Sequence, residues 1–106
     1  MDVTHLQLIG LWRAQFEGSA PAMLLLEQHP ELTEGLRGQV NRNGVRADVA
    51  GDVDEGAFTL EESANGVNIS ATWLGDVVEG SCGREIRGTW KAEGRNEEHA
   101  FVLRKQ

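Results

Sequence analysis

Cysteine, proline and long apolar runs are scarce in this sequence, and each shortage excludes a class of structure. Cys82 is the single cysteine in 106 residues, so an internal disulfide cannot form and the fold must rest on a hydrophobic core. The longest uninterrupted apolar run, Ala22 to Leu26, has the length of one strand, whereas a membrane-spanning helix needs roughly 18 residues. Only two prolines stand against thirteen glycines, a ratio that favours strands joined by tight turns.

Positive charge is also in short supply, which bears on binding partners. Ten lysines and arginines oppose seventeen aspartates and glutamates, so the formal net charge is −7. Such a charge favours solubility and repels nucleic-acid phosphates and anionic lipid surfaces. Two basic stripes are candidates, Arg84, Arg87 and Lys91 or the tail pair Arg104 and Lys105. Acidic neighbours such as Glu85 and Glu93 interrupt them, and a solvated strand face explains the pattern. We expect no nucleic-acid partner and no membrane partner.

Recognised catalytic and metal-binding motifs are missing as well. The three histidines, His5, His29 and His99, lack the short spacing of a zinc site, and there is no phosphate loop, nucleophile elbow or paired Cys-X-X-Cys. The acidic stretch from Asp52 to Gly56 lacks the full spacing of a calcium loop and fits a solvated hairpin tip. The sequence therefore predicts no catalytic residue, no metal site, no cofactor and no enzyme activity.

A chain of this length predicts one domain, because a core divided between two halves would bury too little apolar surface in each. We assign residues 1–106 to that domain. The opening residues, Met1 to Thr4, lack the basic and apolar regions of a signal peptide. This start fits either a cytosolic protein or a mature secreted domain, so the localisation stays open.

Glycine-containing turns punctuate the chain at short intervals. Asn43-Gly44 and Asn65-Gly66 accept positive φ at both turn positions, so each predicts a two-residue hairpin. Weaker turn signals lie at Gly18 to Pro21, Glu55-Gly56, Gly75-Asp76, Cys82-Gly83 and Gly94 to Asn96.

Between the turns lie about nine strand-length segments, several of which alternate apolar and polar residues. Helical turns are expected only near Val3 to Leu8 and, as an alternative to a loop, after Pro30. The segments are Leu8–Glu17, Ala22–Gln28, Gly35–Arg42, Val45–Asp54, Ala57–Glu62, Val67–Leu74, Val77–Ser81, Arg84–Ala92 and Glu98–Lys105.

Short consecutive strands joined by tight turns pair as antiparallel neighbours, and a twisted sheet of this many strands tends to close on itself. The fold class predicted is all-β, an antiparallel up-and-down meander of about eight or nine strands in a closed or nearly closed barrel. An odd number would make the closing pair parallel, and Val77–Ser81 is the weakest segment. Glycines inside strands, Gly10, Gly38, Gly51 and Gly88, predict bends or bulges at barrel corners.

The alternation also predicts which side chains face inward. The first strand places Trp12, Ala14 and Phe16 on one face, and the sixth and eighth segments do the same for two groups of residues. In the last strand either Phe101 and Leu103 or Ala100 and Val102 are buried. In the sixth segment the residues on this face are Val67, Ile69, Ala71 and Trp73, and in the eighth they are Ile86, Gly88 and Trp90.

The first strand contains Gly10-Leu11-Trp12, and Gly88-Thr89-Trp90 repeats the pattern near the end of the chain. This Gly-X-Trp opening resembles that of lipocalins, avidins and related small barrels of the calycin type. The resemblance implies that Trp12 packs across one end of the barrel and that the interior or the mouth binds a small molecule. It extends to the meander only as a pattern, and no biotin-binding residue carries over.

The function predicted is a non-enzymatic binding module, with either a small apolar ligand in the barrel or a protein partner on its loops. Ligand-lining candidates are the aromatic residues Trp12, Phe16, Trp73 and Trp90, whose other role is to fill the core. The alternatives are an interaction or inhibitor domain with a solid core, and a cryptic enzyme using scattered Asp, Glu and His residues. A homodimer is also expected, because the Met23 to Leu26 run leaves two apolar side chains on the outer face.

Overall fold

The computed structural model describes residues 4–33 and 35–106, which form a closed barrel of antiparallel strands in sequence order. Every strand pairs with its neighbours along the chain, and the barrel closes where the first strand pairs antiparallel with the last. The predicted all-β meander is confirmed. The elements are α1 (His5–Leu8), β1 (Gly10–Phe16), β2 (Ala22–Gln28), β3 (Gly35–Arg42), β4 (Val45–Asp54), β5 (Ala57–Ser63), β6 (Ala71–Val77), β7 (Glu85–Ala92) and β8 (Glu98–Lys105).

Alternating burial along the strands produces a single core. In β1 the inward side chains of Trp12 and Ala14 are fully buried between exposed neighbours. In β8 the buried pair is Phe101 and Leu103, which decides the register that the sequence left open. Buried apolar side chains from α1 and from all eight strands join one continuous cluster. Because this cluster occupies the barrel axis, hydrophobic burial can act as the main driving force for folding.

The structure corrects two of the predicted strands. Val77–Ser81 is not a strand of its own: Val77 ends β6, and residues 78–84 form the connection to β7. Val67–Leu74 begins too early, since β6 starts at Ala71. The eight strands are an even number, which allows the closing pair to be antiparallel.

The turn at Asn65-Gly66 is also different from the prediction. Instead of a two-residue hairpin, residues 64–70 form a longer loop in which Asn65 Oδ1 accepts hydrogen bonds from the backbone N–H groups of Val67 and Asn68. This local side-chain capping competes with strand pairing. Val67 and Ile69, predicted to face inward, are therefore 83% and 45% exposed.

The hairpin at Asn43-Gly44 is confirmed. Both residues have positive φ, 53° and 89°, and the flanking residues Arg42 and Val45 are register partners. Glu55-Gly56 forms a second two-residue turn of the same kind, with φ of 50° and 84°. By contrast, Gly75-Asp76 lies within β6 and makes no turn.

Inward-facing glycines allow neighbouring strands to approach closely. A Cβ added at Gly38 would lie 1.7 Å from the carbonyl oxygen of Leu25, and one added at Gly88 would lie 2.0 Å from that of Leu74. A Cβ added at Gly51 would lie 1.9 Å from the carbonyl oxygen of Thr59. The strand register runs through these three positions without interruption, so they contain no bulge, and the glycines allow close contact between strands.

One end of the barrel, here called the closed end, is covered by α1. The indole N–H of Trp12 donates a 2.8 Å hydrogen bond to the carbonyl of Leu8, and Lys105 Nζ donates to the carbonyl of Gln7. Residues 29–33, for which the sequence allows a helical turn or a loop, form a loop at this end, and Glu34 lies outside the described residues. In the described part of the chain no helix is long and apolar enough to cross a membrane.

Candidate functional site

The end opposite α1, here called the mouth, gathers the polar inward-facing side chains. The loops at residues 17–21, 43–44, 64–70 and 93–97 meet there because each joins strands that leave or enter the barrel at this end. Six inward positions next to these loops form what we call the mouth cluster. Its members are Phe16, Arg42, Glu62, Trp73, Trp90 and His99.

Glu62 is the centre of the mouth cluster. Its carboxylate accepts two hydrogen bonds from the guanidinium of Arg42, at 2.6 Å from Nη1 and 2.9 Å from Nη2. The indole N–H groups of Trp73 and Trp90 both donate to Oε1, at 2.9 Å and 3.2 Å. Only 4% of Glu62 is exposed. Four donors thus satisfy a charged group that would be costly to bury alone.

These contacts determine the charge state of Glu62. Burial by itself would raise the pKa of this carboxyl group, but the hydrogen bonds and positive charge of Arg42 act in the opposite direction. The two indole donors add to that effect, and the net result is a pKa below the ordinary value. Glu62 is therefore ionised at neutral pH, and its negative charge offsets the positive charge of Arg42.

Aromatic rings surround the guanidinium of Arg42. Its central carbon lies 5.2 Å from the ring centroid of Trp90, 5.6 Å from that of Phe16 and 5.9 Å from that of Trp73. These distances are within the range of a cation–π contact. The fork to Glu62 and the three rings together hold the long Arg42 side chain in one orientation.

A pocket of about 280 Å³ opens above this arrangement. Phe16 and Trp90 supply its aromatic sides together with His99, whose ring centroid lies 5.9 Å from that of Trp90. Arg42 contributes to the lining with about a third of its side chain exposed. The remaining lining residues are Ser19, Ala20 and Asn43, so none of the described residues that line the pocket carries a carboxylate.

The structure brings together three of the four predicted ligand-lining residues. The ring centroids of Phe16 and Trp73 are 5.3 Å apart, and those of Phe16 and Trp90 are 6.1 Å apart. Trp73 is fully buried behind the other two, so it supports the pocket without lining it. Trp12 lies at the closed end, as the resemblance to small barrels implied, and is buried against Leu8.

Sequence reasoning missed Arg42, Glu62 and His99. A signal for Glu62 was present, because it follows Phe58 and Leu60 at every second position and so occupies an inward position of β5. Arg42 likewise takes an inward position after Val40, one residue before the Asn-Gly turn. A charged residue on an apolar strand face predicts a buried partner, although the alternation does not identify that partner.

Other candidate groups remain separate from the mouth. Among the described residues, no three His, Cys, Asp or Glu side chains are placed to hold a metal ion. His5 is hydrogen-bonded to Gln28, and the His29 ring accepts from the backbone of Glu31 and Leu32. Cys82 is exposed in the connection between β6 and β7.

Comparison with known proteins adds no assignment. The chain matches no protein-family model, and no curated protein shows significant sequence similarity to it.

Proposed function

We propose that this protein is a non-enzymatic binding module whose small-molecule site is the pocket at the mouth of the barrel. The observation that carries the proposal is the fixed guanidinium of Arg42, exposed at the base of a pocket between Phe16 and Trp90. Small-molecule sites typically combine apolar and aromatic sides with a few well-placed polar groups. The mouth pocket has this composition.

Preorganisation supports the proposal. A free arginine side chain would lose conformational entropy when a ligand ordered it. Here the fork to Glu62 and the stacking of three rings order Arg42 before any ligand arrives. Ligand binding therefore causes little further loss of conformational entropy in the Arg42 side chain.

The packing of the core favours the mouth, and not the barrel interior, as the location of the ligand site. The barrel axis is occupied by one continuous core of buried side chains, including Trp73 and Phe101 in an edge-to-face contact at 5.1 Å. A ligand in the interior would have to displace this core, at the cost of the packing energy of several large side chains. The closed barrel is compatible with the resemblance to lipocalins and avidins, and membership of that group is part of this proposal.

A binding role also fits the state of Glu62 better than a catalytic one. Both carboxylate oxygens are engaged by Arg42, and Oε1 also accepts from two indoles. A carboxylate that acts as a general base needs an available oxygen within hydrogen-bond reach of a substrate proton. We therefore assign Glu62 the role of holding Arg42 in place.

The three indole N–H groups provide a direct test. We would titrate the protein with a library of small aromatic compounds and follow the indole signals of Trp12, Trp73 and Trp90 by NMR. Mouth binding is expected to shift the Trp90 signal most and to leave that of Trp12, at the closed end, unchanged. If no compound shifts Trp90, or if Trp12 responds equally, the proposal is wrong.

Two alanine variants sharpen this test. His99→Ala removes one side of the pocket without touching the bonds of Glu62, and it is expected to weaken binding several-fold. Leu74→Ala is the matched control, since Leu74 is 53% exposed on the outer face of β6. Equal affinity in both variants would place the ligand elsewhere on the protein.

A further inference from the structure

We infer that the mouth pocket takes an uncharged, planar aromatic compound that carries a carbonyl oxygen. This inference rests on the proposed function and specifies its ligand class. It follows from the shape of the pocket sides, from the hydrogen-bond donors left on Arg42 and from the balance of charge at the mouth.

The ring systems around the pocket favour a planar ligand. Phe16 and Trp90 meet at an interplanar angle of 69°, and His99 is tilted by 52° from Trp90. These rings are half-buried, so each has part of its surface free for contact. Aromatic groups prefer offset-stacked or edge-to-face arrangements, which a flat ligand ring can make with all three. A volume of about 280 Å³ accommodates a compound of one or two fused rings.

The donors on Arg42 require an acceptor on the ligand. A guanidinium carries five N–H donors and no acceptor. Two of the five are used in the fork to Glu62, and the described part of the chain offers the guanidinium no other hydrogen-bond partner. The remaining donors are therefore free to bind an acceptor oxygen on a ligand. The exposed side chains of Ser19 and Asn43, at the pocket rim, can supply a further donor.

The charges within and around the pocket favour an uncharged ligand over either charged class. A cationic head group would meet Arg42 and would find no carboxylate among the described residues that line the pocket. An anionic head group would gain little, because Glu62 already offsets the charge of Arg42. It would also approach a protein of net charge −7 whose mouth loops carry Glu17, Glu93 and Glu97 against Arg95. A neutral carbonyl uses the free donors without either penalty.

Four compounds with one ring system separate these classes: 2-naphthamide, 2-naphthoate, 2-naphthylmethylamine and 2-methylnaphthalene. We would measure their dissociation constants by NMR on the full chain, using the indole signal of Trp90. The amide is expected to bind at least tenfold more tightly than methylnaphthalene and more tightly than either charged compound. Its affinity is expected to change little between low and high salt, since no net charge is neutralised.

The variant Arg42→Lys tests the role of the guanidinium while retaining positive charge. A lysine cannot reproduce the planar fork, so the advantage of the amide over methylnaphthalene is expected to disappear. Tightest binding of the naphthoate or of the amine would overturn the inference, as would equal affinity of the amide and methylnaphthalene. In each of those cases mouth binding itself would still be shown by Trp90. Failure of the whole aromatic library to shift Trp90 would instead overturn the proposed function.

Discussion

Arg42 and Glu62 are joined by a two-bond fork although they do not lie on neighbouring strands. Arg42 ends β3 and Glu62 lies near the end of β5, so β4 runs between them. The bonds of 2.6 Å and 2.9 Å bridge β3 and β5 on the inner side of β4 and add a link that the backbone ladder does not provide. The same two bonds therefore stabilise the mouth and hold Arg42 in its position in the proposed binding site.

We expect removal of the two partners to have unequal effects on stability. Arg42→Met leaves the carboxylate of Glu62 buried with only its indole donors, and we expect a loss on the order of 3 kcal/mol. Glu62→Gln leaves a guanidinium that is partly exposed to water, and we expect a loss of about 1–2 kcal/mol. Urea unfolding of both variants measures the difference. A larger loss for Glu62→Gln than for Arg42→Met would contradict this account of the pair.

The same pair predicts a dependence of stability on pH. Because the folded pKa of Glu62 lies below its ordinary value of 4.5, ionised Glu62 binds a proton less readily in the folded state than in the unfolded state. Its contribution is fully present above pH 4.5 and is lost as the pH falls through the folded pKa. The stability difference between wild type and Glu62→Gln should therefore shrink on acidification. Glu61→Gln, on the outer face, controls for the change in net charge, and a difference that stayed constant with pH would refute the prediction.

Glycine at the inward positions of the barrel is expected to be essential for close strand packing. Gly38→Ala and Gly88→Ala would each place a Cβ within 2.0 Å of a backbone oxygen, which only movement of a strand can relieve. Overpacking typically costs about 1–3 kcal/mol, and we expect the upper end of this range here because the overlap is with backbone atoms. Gly35→Ala is the comparison, because its closest contacts are the side-chain Cβ atoms of Leu32 and His29 at 2.9 and 3.1 Å, a smaller overlap than one with a backbone oxygen. Thermal unfolding should rank Gly35→Ala as the mildest of the three changes.

The hydrogen bond at the closed end predicts a local effect of changing Trp12. Trp12→Phe retains most of the ring volume but leaves the buried carbonyl of Leu8 without its donor. We expect a loss of about 1–2 kcal/mol and faster hydrogen exchange in α1. Ligand affinity at the mouth should stay at the wild-type value, which a titration of the variant would check. A change in affinity without a change in stability would show that the two ends are coupled.

The homodimer remains a prediction, and the structure indicates where to test it. Leu24 and Leu26 are buried, whereas Leu25 is 42% exposed and is the register partner of Leu11, which is 45% exposed. A dimer that uses this apolar pair should be weakened at least tenfold by Leu25→Glu. Leu74→Glu introduces the same charge on β6 and should leave association unchanged. Sedimentation equilibrium distinguishes these results, and a wild-type chain that stays monomeric at high concentration would refute the dimer.

Much of the barrel follows from patterns that act over a few residues. Alternation of period two predicted the inward side of β1 and β7, and the Asn43-Gly44 dipeptide predicted a hairpin because asparagine and glycine tolerate positive φ. The same rules failed at Asn65-Gly66, where the Asn65 side chain captures two backbone N–H groups and delays the start of β6. Local competition of this kind depends on the conformation of the loop, which the dipeptide alone does not specify.

By itself the sequence determined an all-β chain without disulfides, and it placed Trp12, Phe16, Trp73 and Trp90 on inward faces, because side-chain direction in a strand depends only on residue parity. Tertiary structure alone decided that Trp12 lies at the end opposite the other three and that Arg42 is the partner of Glu62. The reason is physical. Which inward positions share a level of the barrel depends on strand register and on closure between β1 and β8, and both are set by contacts distant in sequence.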